Sequence, residues 1–126
     1  MTEFDFFAFR EAAIPAGYKP TDDEEYMSPI MLAYFYRKLL SMRDELRRGA
    51  GNLSHGEMSV LEKRNHDRDM KMLAKVDLAL GRIEGGTYGI CEDTDEPIPV
   101  ARLDARPQTT VTYDAQERRE FLQKGT

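Results

Sequence analysis

The 126-residue chain is the size of one globular domain, and with 33% charged and 40% hydrophobic residues it is composed to fold rather than stay disordered. Its formal charge of −5 argues against generic binding to nucleic-acid phosphates, which needs a cationic surface, so any nucleic-acid-linked role has to run through a protein partner. The single cysteine excludes an internal disulfide and suits a reducing cytosol; with no secretory signal and no apolar run near the roughly 20 residues that span a bilayer, a cytoplasmic location is expected.

Residues 1–26 are expected to pack on a globular body. Within them the aromatic stretch Phe4 to Ala13, carrying Phe4, Phe6, Phe7 and Phe9, predicts about three helical turns ended by Pro15 and Gly17. Thr21-Asp-Asp-Glu-Glu25 is an acidic signal for the start of a longer helix, and Ser28-Pro29 pairs an N-cap with a first-turn proline. Leu32, Phe35, Leu39, Met42 and Leu46 then step by 3, 4, 3, 4, an apolar seam along one face. Gly49-Ala-Gly-Asn-Leu-Ser54 breaks that helix, with Ser54 and Glu57 spaced as a capping box for the next. The second helix runs to about Glu84, where Gly85-Gly86 stops it, and repeats the seam through Leu73, Val76, Leu80 and Ile83. Residues 27–86 therefore predict an antiparallel helical hairpin with its turn near 49–54. Residues 87–126 predict knuckle-like turns and a small β-ribbon, broken by Pro97, Pro99 and Pro107, and a closing helix from Asp114 to Gln123 beside the N-terminal segment. The expected class is mainly α: a helical hairpin on a small globular domain.

Two features carry functional information. Glu62-Lys-Arg-Asn-His-Asp-Arg-Asp69 is polar for two turns of the second helix. Such a run covers every side, so a polar group must fall on the inward stripe, and a partner surface is expected over Glu62–Asp69. The second feature is a four-ligand zinc layout with three ligands gone. Tetrahedral zinc is closed by paired C-x-x-C knuckles, and the places that would need thiolates hold Cys91, Thr94, Thr112 and Ala115. Zinc is not expected there. Cys91 reads as a buried small apolar side chain, with the threonine hydroxyls bonded to the turn backbone. A residual site with His55 or His66, and a redox role for Cys91, are the weakest readings. Tyr88 and Gly89 are expected to shape the turn. No catalytic triad, phosphate-cradling glycine loop or metal cluster stands out, so an enzyme is not expected.

Taken together, Glu25-Tyr26-Met27, Arg64-Asn-His-Asp-Arg68, Tyr88-Gly-Ile-Cys-Glu92, Arg102-Leu-Asp-Ala-Arg-Pro107 and Gln116-Glu-Arg-Arg119 resemble the DksA/TraR family of bacterial transcription regulators. The Cys-Thr-Thr-Ala pattern is similar to that of its zinc-independent, single-cysteine members. The resemblance implies a monomeric protein that binds RNA polymerase rather than DNA or membrane, its hairpin entering the polymerase secondary channel. Arg68 matches the family's rim-docking arginine, Arg64 belongs to the same basic face, and Arg102 matches a further polymerase contact. Lys75 and Arg106 match phosphate-contacting residues for guanosine tetraphosphate, an effector implied at the junction with the rim. A third basic place is Gln116 here. The acidic Asp-x-x-Asp-x-Ala motif of the family's hairpin tip is missing, since Arg48-Gly-Ala-Gly-Asn-Leu53 stands in its place. Aligned from the first helix, the hairpin is shorter than the family's, and Asp44, Glu45 and Glu57 read as ordinary surface charges. The rival expectations are a truncated competitor at the channel mouth, and a hairpin module that binds some other protein through Glu62–Asp69.

Overall fold

The computed structural model describes residues 14–50 and 59–124. Among the described residues four helices follow in order: α1 (Pro29–Ala50), α2 (Val60–Gly85), α3 (Val100–Ala105) and α4 (Tyr113–Lys124). The long pair α1 and α2 form the expected antiparallel hairpin. The acidic stretch Asp22–Glu25 does not begin α1; it lies in turns, and two of its carboxylates bond elsewhere. Glu24 accepts from the hydroxyl of Tyr18, and Asp22 accepts from the N–H of Val100. The helix starts where Ser28 accepts, through its side chain, the N–H of Met31 at 3.3 Å, and proline occupies the first helical position, where no donor is missed.

α1 continues through Gly49 to Ala50, past the expected break, because glycine near a helix end costs only about 1 kcal/mol. α2 begins behind a capping box one motif later than expected: Ser59 accepts from the N–H of Glu62 at 3.2 Å, and Glu62 returns the bond to Ser59 at 3.3 Å. Ser54 and Glu57 lie outside the described residues, as do the expected turn beyond Ala50 and the segment Phe4–Ala13. α2 ends as expected, with Gly86 left-handed at φ 79° and donating to the carbonyls of Arg82 and Ile83.

One core joins the hairpin to the globule. Met31, Phe35, Tyr36 and Leu39 of α1 meet Val76, Ala79, Leu80 and Ile83 of α2, and the cluster continues through Tyr88, Cys91, Ile98, Val100, Leu103, Val111 and Ala115. Burying each of the larger apolar side chains contributes about 1.5–3 kcal/mol, so the base of the hairpin is held firmly. Further out, Met42 and Leu46 are only half-buried, as is Leu73 on α2. The expected β-ribbon reduces to one antiparallel bridge, Ile90 to Pro97. α3 was not anticipated; it starts at Val100, with Pro99 as its N-cap, and ends at Ala105 because the residue before Pro107 is pushed out of helical geometry.

Candidate functional site

The inward stripe of α2 runs through Val76, Leu80 and Ile83. At 100° per residue, Arg64, Arg68, Lys71 and Lys75 recur every three or four positions along one flank beside it. Arg68 is 73% exposed and lies 3.8 Å from the carboxylate of its neighbour Asp69, a surface pair of little energetic weight. Arg64, Arg68 and Lys71 share a shallow surface groove with Lys63 and Asp67. Along the polar run most side chains are exposed, whereas His66 and Asp69 are half-buried, which places polar groups on the inward side as expected.

Following that flank towards the globule leads to a pocket of about 320 Å³. Its wall takes Lys75 and Leu78 from α2, Arg102 from α3, Arg106, Gln108 and Thr109 from the loop that follows, and Gln116 and Arg119 from α4. Lys75, Arg102 and Arg106 thus come together, while Arg64 and Arg68 lie two or more turns outward, beyond roughly 10 Å at 1.5 Å per residue. Arg102 is built into the wall. Its Nε donates to the Val111 carbonyl at 2.8 Å, Nη2 reaches Thr109 Oγ1 at 3.4 Å, and the guanidinium stands 5.5 Å from the centre of the Tyr113 ring. Lys75 and Arg106 are exposed. Gln108 Oε1 on this wall is enclosed and has no hydrogen-bond partner among the described residues. Reasoning from sequence missed Arg119 and Lys71 as members of the basic surface, although their spacing from Gln116 and Arg68 is the one-turn step that places residues side by side.

Other residues of the Arg102–Pro107 motif anchor the globule. Leu103 is fully buried, and Asp104 Oδ1 accepts from the Tyr34 hydroxyl at 2.6 Å and from Lys38 Nζ at 2.8 Å, which ties α3 to α1. Burial opposes ionisation of Asp104, but these two donors outweigh it and hold its carboxyl below the usual range. Lys38 also donates to the carbonyl of Asp104 at 2.6 Å, capping the end of α3. Pro107 receives the hydroxyl of buried Tyr88 at 2.8 Å.

The four places of the degenerate knuckle are occupied by bonds among themselves. Cys91 is fully buried; its sulfur lies 3.9 Å from Thr112 Oγ1 and accepts the N–H of Thr112 at 3.4 Å. Thr112 Oγ1 accepts the N–H of Ala115 at 3.2 Å, and Thr94 Oγ1 that of Glu96 at 3.4 Å. Burial raises the thiol's pKa, but hydrogen bonds from the Thr94 hydroxyl and the N–H groups of Thr112, Asp93 and Thr94 outweigh it and bring the pKa down to about 7. One thiolate, two hydroxyls and a methyl do not make the donor set of a tetrahedral zinc. Among the described residues, no group of three or more His, Cys, Asp or Glu side chains is placed to hold a metal ion.

Carboxylates of the same knuckle tie the globule to both flanking helices. Arg82 Nη1 meets Glu92 Oε1 at 3.1 Å, and Arg119 Nη2 meets Glu92 Oε2 at 3.3 Å. Arg119 grips Asp93 through Nε at 2.7 Å and Nη2 at 2.6 Å. That fork holds the Asp93 carboxyl below its usual range.

Residues 86–121 match the model of the prokaryotic dksA/traR C4-type zinc finger. Over 123 residues the chain is 40% identical to the RNA polymerase-binding transcription factor DksA of Caulobacter vibrioides, covering 83% of this chain and 87% of that one. It is 31% identical over 130 residues to the factor of the same name from Escherichia coli, covering 86% of each. Among solved structures, transcription factor DksA2 from Pseudomonas aeruginosa superposes with a TM-score of 0.65 at 30% identity, over 81% of this chain and 94% of that one. The RNA polymerase binding protein and transcriptional regulator Dks from Chlamydia trachomatis gives 0.53 at 35% identity, over 80% and 93%.

Proposed function

The chain belongs to the DksA/TraR family, and from that premise we propose that it is a transcription regulator that binds RNA polymerase. The hairpin seats in or at the secondary channel, the globule rests on the rim, and initiation changes through steric and electrostatic contact without covalent chemistry. Arg64 and Arg68 dock on the rim, and Arg102 shapes the contact beside it. Guanosine tetraphosphate is the effector in this reading, its phosphates taken by Lys75 and Arg106 through charge-assisted hydrogen bonds. The fold needs no zinc, and the protein works as a monomer without touching DNA or membrane.

What carries the reading is convergence. Lys75 lies far in sequence from Arg102 and Arg106, yet all three line one pocket at the hairpin base, and the Arg64–Arg68 flank leads to it. The unpaired amide oxygen of Gln108 adds polar capacity on the same wall.

A second reading is favoured by length. The match to the Escherichia coli factor extends over 130 residues but takes up only about 108 of this chain, 86% of 126. A shorter prong without the acidic tip would occupy the channel mouth and act only by displacing longer relatives or cleavage factors. Transcription in vitro from a ribosomal promoter, with core polymerase and initiation factor alone, separates the two: direct inhibition supports the first reading, and an effect seen only against an added competitor supports the second.

A further inference from the structure

Gln116 brings a neutral amide to the place where the family's site would have its third cation, but the pocket is not short of charge. Arg119, one turn further along α4, lines it as well. We propose that Arg119 supplies the third cationic contact to the phosphate-rich ligand held by Lys75 and Arg106, in place of Gln116. This rests on the nucleotide reading above.

Electrostatics first marks the pocket as an anion site. In a chain of net charge −5, four cations (Lys75, Arg102, Arg106 and Arg119) meet there against one carboxylate, Glu92. Of the two guanidiniums on helices, Arg102 is committed to Val111 and Thr109 and forms wall. Arg119 is held differently. Asp93 and Glu92 take its Nε and Nη2, and these bonds do not use Nη1. A guanidinium carries five N–H donors in a planar fork, so one edge can be fixed by a carboxylate while another engages a phosphate. Glu92 is itself held by Arg82, which donates to the carbonyls of Thr87 at 3.1 Å and Ile90 at 2.7 Å. The knuckle thus pre-positions Arg119 at the pocket, and the ligand need not order a long side chain on arrival.

The test is the binding of labelled guanosine tetraphosphate that appears only when the protein is added to core RNA polymerase. Arg119→Ala should weaken that increment about tenfold, the loss of one charge-assisted contact at a partly exposed site, and Lys75→Ala and Arg106→Ala should do the same. Adding Gln116→Lys to Arg119→Ala should restore binding, because it returns a cation to the same wall without remaking the grip on Asp93. If Lys75→Ala and Arg106→Ala weaken binding while Arg119→Ala does not, the role of Arg119 is overturned and the pocket reading stands. If Arg119→Ala weakens binding and Gln116→Lys fails to restore it, the arginine acts by bracing the knuckle and the proposal is equally overturned. If none of the three matters, the pocket reading falls and the proposal with it.

Discussion

The hydroxyl of Tyr26 sits 2.8 Å from the carbonyl oxygen of Gly89 and 2.6 Å from that of Ile98, so one loop side chain holds both limbs of the knuckle. A hydroxyl has a single proton, which the two oxygens share. Gly89 adopts φ 89°, and a Cβ there would stand 2.8 Å from the same hydroxyl and 2.9 Å from Met27 Cε. The contact needs both a glycine and a tyrosine.

Gly89→Ala should therefore destabilise the protein by roughly 2–3 kcal/mol, combining left-handed strain with displacement of Tyr26. Tyr26→Phe should cost about 1–2 kcal/mol, since it leaves the Ile98 carbonyl unsatisfied. Urea unfolding measures both, and a double variant should lose less than the sum because the two changes break one contact. Additive losses would mean that Tyr26 and Gly89 act separately.

Cys91 predicts a pH dependence of definite sign. Its folded pKa of about 7 lies below the value near 9.0 of a free thiol. The unfolded chain therefore holds the proton over a range where the folded one has lost it, and the resulting stabilisation, complete above pH 9, fades as pH falls through 7. Between pH 6 and 9 the native protein should gain up to about 2–3 kcal/mol over Cys91→Ser. Parallel stability curves for the two proteins would remove the thiolate from the picture.

Metal removal should do nothing. An excess of chelator is expected to leave the melting temperature within about a degree, because structural zinc sites otherwise contribute folding energy outright. A chelator-induced collapse, or stoichiometric zinc by elemental analysis, would show that the threonines and Cys91 bind the ion after all.

The hairpin should open from its far end. Beyond the half-buried Met42 and Leu46, the seam meets Asp69 and His66, and the buried Nε of Arg43 has no partner among the described residues. Native-state hydrogen exchange should find amides of Val60–Met70 protected far less than those of Val76–Ile83, whose side chains are core. Uniform protection along α2 would contradict this gradient.

How far the sequence reached depended on the range of the forces involved. Ser28-Pro29 and Gly85-Gly86 marked the inner ends of the hairpin because caps are local chemistry, and the 3-4 spacing from Phe35 to Leu39 and from Val76 to Leu80 found the core faces. The six residues of α3 are too few to show a period, and the acidic residues 22–25 resemble the start of α1 while Asp22 bonds the first residue of α3 instead. The basic pocket was only half legible. Lys75, Arg102 and Arg106 came from resemblance, whereas Arg119 depends on Glu92 and Asp93, 27 and 26 residues away, and such partners leave no mark in a local window. Tyr26 and Gly89, 63 residues apart, belong to separate motifs and meet only in the folded chain.

The most direct measurement is a titration of the labelled protein against core RNA polymerase, repeated with Arg68→Ala and Lys63→Ala. Saturable binding at micromolar concentration or tighter is expected, with Arg68→Ala weakening it clearly more than Lys63→Ala, although both residues border the same groove on α2. Absence of binding at micromolar concentration, or equal losses from the two substitutions, would contradict docking through the basic flank of the hairpin.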